Sequence, residues 1–211
     1  MIEFKTENYG LKFEKKFNSN LDDIDWFNGE HDILHTKIIH EFSDKDKSIL
    51  LDCIENLKSK NSFNCVLEIG VNRSGEYSST QFLLKHKPQN TKYVGIDINC
   101  ALADGIQNIE KNIYGKCCNS SNYDEILNYL NSLNIKEIDL LIIDGWHSIN
   151  QVFLDFKYAQ ILSKNGIIFL HDTNYHPGPK NLLECVDDNL FNKHIFFENE
   201  EDWGVAFLQK K

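Results

Sequence analysis

Four runs of apolar, β-type residues in this chain each end at a carboxylate or a glycine. They span Val66–Gly70, Tyr93–Asp97, Ile142–His147 and Phe169–Asp172. Segments with apolar residues at helical spacing lie between them, and this alternation predicts right-handed βαβ units and a parallel sheet. Ligands of open parallel sheets bind outside the carboxyl ends of the strands. We therefore expect the four polar endings to meet in one crevice.

The periodicity also predicts where the elements lie. Strands are expected near 64–69, 92–97, 113–117, 138–143 and 166–171, and helices near 77–86, 101–111, 122–133, 149–163 and 180–190. The last apolar runs, Ile195–Phe197 and Val205–Leu208, flank an acidic segment and predict an antiparallel hairpin. The expected fold is α/β: a Rossmann-like, doubly wound, mostly parallel seven-stranded sheet with an antiparallel C-terminal hairpin.

The first 60 residues follow a different pattern. Residues 1–30 are polar and aromatic and predict an arm, residues 31–42 predict a helix, and Ser43–Asp44 predicts the start of a second helix. We expect residues 1–60 to pack on a core domain of residues 61–211, and 211 residues suit one globular domain overall.

Composition narrows the range of partners. The formal net charge of −10 disfavours nucleic-acid binding, which draws affinity from neutralised phosphates. No apolar run approaches the roughly 18 residues of a membrane span, and no secretory signal is visible, so we expect a cytoplasmic protein. Six cysteines without a C-x-x-C pair argue against a zinc site and a disulfide framework.

A glycine-bearing turn follows the first strand. In Glu68-Ile-Gly70-Val-Asn-Arg-Ser-Gly75 the glycines permit a tight turn and close approach of the backbone to a ligand. Asp97 ends the next strand, where a carboxylate can accept hydrogen bonds from a ribose diol. The turn has neither the dinucleotide G-x-G-x-x-G pattern nor the Lys-Ser/Thr ending of a Walker A loop.

With these residues, roughly 60–211 of the chain resembles class I S-adenosylmethionine-dependent methyltransferases. The resemblance implies S-adenosylmethionine as cofactor, with Gly70 facing its methionine part, Asp97 its ribose, and Asn119 or Ser120 its adenine. The full set of expected cofactor-binding residues is Glu68, Gly70, Gly75, Asp97, Asn119, Ser120 and Asp144. The alternative is another doubly wound protein with glycine turns.

The two later strands end in acids and histidines. Asp144 and Asp172, with His171, could hold one hard divalent cation such as Mg²⁺ or Mn²⁺. Such a cation would lower the pKa of a bound hydroxyl. His147 begins a helix three residues after Asp144, and histidine suits proton removal near neutral pH. His147 could instead cap the helix.

The Asp144-Gly-Trp-His147 motif resembles one branch of the family, the small-molecule O-methyltransferases, many of which act on sugars or glycosylated natural products. Relatives of this branch hold a metal with this Asp and an acidic pair, and use the motif histidine as general base. Here the pair is His171-Asp172, which leaves open either an altered metal site or a metal-free subgroup. Trp146 is expected as a pocket wall and Asp155 as a structural residue.

These interpretations predict an enzyme that moves a methyl group from S-adenosylmethionine to a hydroxyl of a small molecule, with a sugar or glycosylated metabolite as a candidate acceptor. His147, Asp144 and Asp172 would be its catalytic residues. Two alternatives stay open: a metal-dependent hydrolase on a similar fold, and a non-catalytic binding module. No nucleic acid or membrane is expected as a partner, and a homodimer is compatible with the sequence.

Overall fold

The computed structural model describes residues 10–12, 42–60, 63–198 and 202–211. The predicted arm over residues 1–30 and the predicted helix over 31–42 therefore lie almost entirely outside the described residues. The second predicted helix is present as α1 (Asp44–Ser59). Ser43 caps it, and the Ser43 hydroxyl and the Asp46 carboxylate bond each other's backbone N–H in a capping box.

Seven strands of the described chain form one sheet in the order β3-β2-β1-β4-β5-β7-β6. The first five strands in this order run parallel to one another, and β7 is antiparallel to both β5 and β6. The predicted fold class, including the C-terminal hairpin, is confirmed. The strands are β1 (Cys65–Ile69), β2 (Lys92–Asp97), β3 (Ile113–Cys117), β4 (Ile138–Ile143), β5 (Leu162–His171), β6 (Phe191–Phe196) and β7 (Val205–Lys210).

Helices connect the strands and cover both faces of the sheet. Three of them begin directly after a polar residue that accepts a backbone N–H of the first turn: Ser78, Asn99 and Ser148. The helices after α1 are α2 (Ser79–His86), α3 (Cys100–Gly105), α4 (Tyr123–Ser132), α5 (Ile149–Phe156) and α6 (Pro177–Cys185). None of the helices in the described part of the chain is long and apolar enough to cross a bilayer.

Several predicted boundaries were wrong. The helix expected over 101–111 ends at Gly105 and resumes as a short 3₁₀ turn, Ile109–Lys111. The helix expected over 149–163 is α-helical only to Phe156, and β5 begins at Leu162 rather than 166. Helix α6 begins at Pro177 rather than 180, because proline presets the helical φ and needs no N–H at the first position.

Alternate residues of the central strands feed two separate apolar cores. Leu67 and Leu141 lie on the face that is covered by α4, α5 and α6. Val66 and Leu140 lie on the opposite face, packed against α1 and α2. Every residue of β1 and β4 is buried, as expected for parallel strands with both faces covered.

The cysteines divide between core and surface. Cys53 and Cys65 are buried apolar residues. The sulfurs of Cys100 and Cys117 are bonded to each other, which the sequence did not predict. The pair follows from topology: Asp97 and Cys117 are in register on β2 and β3, so the start of α3 lies beside the end of β3.

Candidate active site

The carboxyl ends of β1, β2, β4 and β5 surround a cavity of about 570 Å³. All four polar strand endings of the sequence contribute to its wall. Its volume lies within the range of pockets that enclose small molecules and cofactors. The cavity has two halves, named for the roles that the sequence predicts: a cofactor half around Gly70 and Asp97 and an acceptor half around His147 and Asp172.

The glycine turn after β1 brings two strand ends into contact. The Gly70 N–H donates to the Ile96 carbonyl at 2.9 Å, and the Asp144 N–H donates to the Ile69 carbonyl at 2.9 Å. Gly70 has φ +81°, and a Cβ at this position would lie 2.2 Å from the Asp144 carbonyl oxygen. Only glycine fits both requirements, so this residue sets the floor of the cavity.

Backbone amides fix the Asp97 carboxylate at the end of β2. Its Oδ2 accepts the Val71 N–H at 3.0 Å, and its Oδ1 accepts the Asn99 N–H at 2.7 Å. Each carboxylate oxygen retains further acceptor capacity. Asp97 lines the cavity, so a pair of neighbouring hydroxyls on a ligand could bind there.

Three histidines surround the Asp172 carboxylate in the acceptor half. His147 Nδ1 lies 3.0 Å from Oδ2, His171 Nδ1 lies 3.0 Å from Oδ1, and His176 Nε2 lies 3.5 Å from Oδ2. Asp172 itself has φ +60°, an uncommon conformation for a residue with a side chain. This strained backbone at a polar site is typical of functional positions.

Asp144 is the second carboxylate of the acceptor half. Its Oδ1 lies 3.4 Å from His171 Nδ1 and 3.6 Å from His147 Nε2. Its Oδ2 lies 3.2 Å from the Ser79 hydroxyl at the start of α2. Asp144 therefore joins the glycine turn of the cofactor half to the histidines of the acceptor half.

Buried charges shift the pKa values of this cluster. Burial alone would lower the pKa of His171, but the carboxylates of Asp172 and Asp144 raise it well above its ordinary value. Burial alone would raise the pKa of Asp172, but His171 and His147 hold it well below its ordinary value. The pair His171–Asp172 is therefore an imidazolium next to a carboxylate near neutral pH.

Within the part of the chain that the structure describes, two overlapping groups of side chains could hold a metal ion. One is Asp144, His171 and Asp172, as the sequence predicted; the other is His147, Asp172 and His176. Within each group the possible ligand atoms lie within 4.8 Å of one another. The two carboxylates of the first group suit a hard cation, whereas the imidazoles of the second suit softer ions.

A protein-family model described as a methyltransferase domain matches residues 67–173, half of the chain. The matched segment runs from within β1 to just beyond β5. It contains all the residues that line the cavity except Phe42, His176 and Trp203. The chain belongs to this methyltransferase family. A search of curated proteins finds no match.

Solved structures of methyltransferases share the fold of this methyltransferase domain. An O-methyltransferase from Bacillus cereus in complex with SAH is 15% identical, with a TM-score of 0.57 over 86% of this chain and 88% of that one. MycE methyltransferase from the mycinamycin biosynthetic pathway, in complex with Mg and SAH, is 17% identical, with a TM-score of 0.55. The match covers 77% of this chain and 48% of MycE, so the chain spans about half the length of MycE.

An rRNA methylase from Streptococcus thermophilus has the same fold. It is 13% identical, with a TM-score of 0.53 over 82% of this chain and 98% of that one. At these sequence identities the similarity shows a shared fold only. The neighbours include an O-methyltransferase and an rRNA methylase, so the fold does not identify the methyl acceptor.

The structure brings most of the predicted site residues of the methyltransferase domain into the cavity wall. Those that line it are Gly70, Asp97, Asn119, Ser120, Asp144, His147, His171 and Asp172. Trp146 also lines it and is 55% exposed, in agreement with the expected pocket wall. Two predicted cofactor residues, Glu68 and Gly75, are not among the lining residues.

Glu68 lies beneath the cavity rather than in its wall. Its carboxylate accepts hydrogen bonds from the hydroxyls of Ser79 and Tyr93 and is fully buried. Burial raises the pKa of Glu68 to about 7, and the hydrogen bonds from Tyr93 and Ser79 oppose that rise. Its hydrogen bond to Ser79 at the start of α2 suits a residue that supports the glycine turn and this helix.

Two residues of the acceptor half were not predicted. His176 lies at the N-cap of α6, and the following Pro177 was the signal that a helix begins there, at the carboxyl end of the sheet. Asp46 lies in the first turn of α1, fully buried, with its Oδ2 3.5 Å from His171 Nε2. No local pattern connects Asp46 to a residue so distant in the sequence.

Proposed function

We propose that this protein transfers a methyl group from S-adenosylmethionine to a hydroxyl of a small molecule. The observation that carries the proposal is the continuity of the cavity. One wall runs from Gly70 and Asp97 to Asp144, His147 and Asp172. A sulfonium methyl held in the cofactor half would therefore face the histidine cluster.

The cofactor half suits a nucleoside. The oriented carboxylate of Asp97 suits a ribose diol, and the turn at Gly70 allows close approach of the backbone to the amino-acid part. Two structural neighbours, MycE and the Bacillus cereus O-methyltransferase, are in complex with SAH, the product form of this cofactor. Membership of the methyltransferase family supports the same assignment.

His147 is the proposed general base. The Asp172 carboxylate 3.0 Å from Nδ1 favours the tautomer with its proton on that nitrogen, which places the basic lone pair on Nε2. As the acceptor oxygen bonds to the methyl carbon, the carbon–sulfur bond breaks and the hydroxyl proton passes to Nε2. Most of the acceleration would come from holding the oxygen in line with the methyl group.

A divalent cation has defined candidate ligands in this scheme. Asp144, His171 and Asp172 would hold it once the His171 imidazolium had released its proton, and when bound the ion would polarise the acceptor hydroxyl as a Lewis acid. The structural neighbour MycE is in complex with Mg. No step of the proposal depends on the ion, because His147 and Asp172 alone can accept and stabilise the proton.

The proposed acceptor is a small molecule, with a sugar or glycosylated metabolite as the preferred class. The half-exposed indole of Trp146 at the cavity wall offers an apolar face of the kind that packs against a sugar ring. MycE, from the mycinamycin pathway, is a structural neighbour whose complex contains mycinamycin VI. A net charge of −10 argues against RNA, although rRNA methylases share the fold.

Calorimetric titration with S-adenosylhomocysteine tests the cofactor assignment. We expect micromolar binding, weakened at least about ten-fold in Asp97→Asn, because the variant loses the charge and one acceptor at the ribose position. Asp104→Asn, at an exposed position on α3, is the matched control and should bind like the wild type. Thermal unfolding of each variant separates loss of binding from loss of fold.

The acceptor is tested with methyl-labelled S-adenosylmethionine and a panel of glycosides and other hydroxyl compounds. Label transferred to a hydroxyl oxygen would support the proposal. Failure to bind S-adenosylhomocysteine even at millimolar concentration would contradict it and favour the hydrolase or the non-catalytic module.

A further inference from the structure

A hydrogen-bond network at the cavity wall connects the segment after β3 with α5. The Gln151 side-chain nitrogen lies 2.9 Å from the Ser120 hydroxyl and 2.9 Å from Asp155 Oδ1. Ser120 and Gln151 line the cavity, whereas Asp155 is fully buried one helical turn further along α5. The proposed chemistry uses none of these three side chains.

Asp155 fixes which way the Gln151 amide faces. A carboxylate accepts hydrogen bonds and repels an amide oxygen, so the Gln151 NH₂ group must be the end that faces Asp155. Both protons of that group are engaged by Ser120 and Asp155. The amide oxygen is therefore turned away from Asp155, and it is an acceptor on a side chain of the cavity wall.

Burial raises the pKa of Asp155 to about 7, and its hydrogen bonds with Ser120 and Gln151 oppose that rise. Oδ1 accepts from Gln151 whether or not the other oxygen carries a proton, so the amide orientation persists on both sides of neutral pH.

The network lies where a nucleobase would be. Asp97 at the end of β2 is in register with Cys117 at the end of β3, so the segment Cys118–Ser120 begins beside the ribose position. Ile98 lines the cavity directly after Asp97. A base attached to a ribose at Asp97 would lie between Ile98 and Ser120, with its edge toward Gln151.

We propose that the Gln151 amide oxygen accepts a hydrogen bond from the 6-amino group of adenine, and that Asp155 is a positioning residue that holds the amide in this orientation. The inference rests on the proposed function, because it assumes that the cavity binds the nucleoside of S-adenosylmethionine. It goes further because it names the contact that distinguishes adenine from a 6-oxo purine. A 6-oxo purine presents an acceptor at the same place, which the amide oxygen would repel.

Calorimetry with two ligands tests this. The probes are S-adenosylhomocysteine and S-inosylhomocysteine, which differ only in the 6-amino and 6-oxo groups. We expect the wild type to prefer the adenosyl ligand by about ten-fold or more, since an unpaired acceptor in a buried site is costly. Gln151→Met, which keeps the length of the side chain, should bring the preference close to one. Asp155→Asn should reduce it, because an asparagine no longer dictates the orientation of the amide.

Gln107→Met is the matched control, since Gln107 is exposed and outside the cavity wall, and it should keep the wild-type preference. The ratio of the two affinities is the decisive quantity, because a general loss of fold would weaken both ligands alike. If Gln151→Met leaves the preference unchanged, the assignment of Gln151 is wrong. If Asp155→Asn leaves the preference unchanged, the assignment of Asp155 is wrong. If the wild type binds neither ligand, the proposed function itself has failed; if it binds both equally, only the present inference has.

Discussion

The two halves of the cavity are built in different ways. The cofactor half depends on backbone: the glycine turn after β1, the amides of Val71 and Asn99 that hold Asp97, and the register of neighbouring strands. The acceptor half depends on acidic and histidine side chains from separate elements, with Asp46 from α1 and His176 at the N-cap of α6 joining residues at the ends of β4 and β5.

This difference predicts different vulnerabilities. A site built from backbone geometry should fail when the geometry is blocked, and it should respond little to pH. A cluster of buried acids and histidines should keep its shape under small steric changes and should respond to loss of single charges or protons.

His147→Asn should lower kcat about 10²- to 10⁴-fold, the usual contribution of a general base. The asparagine Nδ2 can replace the ring Nδ1 as a donor to Asp172, so the variant keeps that hydrogen bond and loses only the basic nitrogen. Label transfer from S-adenosylmethionine measures kcat, and affinity for S-adenosylhomocysteine should stay unchanged. The control is His194→Asn, at an exposed position on β6. A kcat within a few-fold of the wild type would remove His147 from the mechanism.

Gly70→Ala should destabilise the protein by about 4 kcal/mol, from backbone strain at positive φ together with overpacking. The added Cβ would lie 2.2 Å from the Asp144 carbonyl oxygen, at φ +81°. Urea denaturation gives the free energy of unfolding. Gly105→Ala is the matched control: its Cβ would meet nothing within 4 Å, and alanine suits the helix better than glycine. Equal stabilities of the two variants would show that the turn adapts to a side chain.

The same contrast explains which site residues could be predicted from the sequence and which could not. Gly70 and Asp97 could be placed because a strand, its ending and the following turn are local signals. Asp46 and His176 could not be placed, because only tertiary packing brings them to His171 and Asp172. Glu68 was expected to bind the cofactor because it precedes the glycine turn. In a strand buried on both faces, however, alternation does not show which side chains reach the cavity.

The buried position of Glu68 leads to a prediction for the pH dependence of stability. Its pKa is about 7 in the folded protein, above the ordinary value of 4.5, so folding favours the protonated form. Its contribution is therefore fully present below about pH 4.5 and is lost as pH rises through 7, a change of order 3 kcal/mol. In Glu68→Gln the amide at this position does not titrate, so this pH dependence should be absent.

The measurement is the free energy of unfolding of the wild type and of Glu68→Gln at pH 5 and pH 8. Between pH 5 and pH 8, the free energy of unfolding of the wild type should fall relative to that of Glu68→Gln. Glu55→Gln, on the surface of α1, should follow the wild type at both. A difference between wild type and Glu68→Gln that does not vary with pH would mean that Glu68 is ionised throughout, and that its two hydrogen bonds outweigh its burial.

Chelation should have the smallest effect. The His171 imidazole lies 3.4 Å from Asp144 and 3.0 Å from Asp172, between the two carboxylates that would hold a cation, and a bound ion would have to displace those contacts. We therefore expect EDTA to change kcat less than about two-fold, under about 0.5 kcal/mol. His171→Asp creates an acidic pair with Asp172, and label transfer by this variant should rise on addition of Mg²⁺ and fall on chelation. A wild type that loses its activity in EDTA and regains it with Mg²⁺ would show instead that His171 is a metal ligand, and that the acceptor half is completed by an ion.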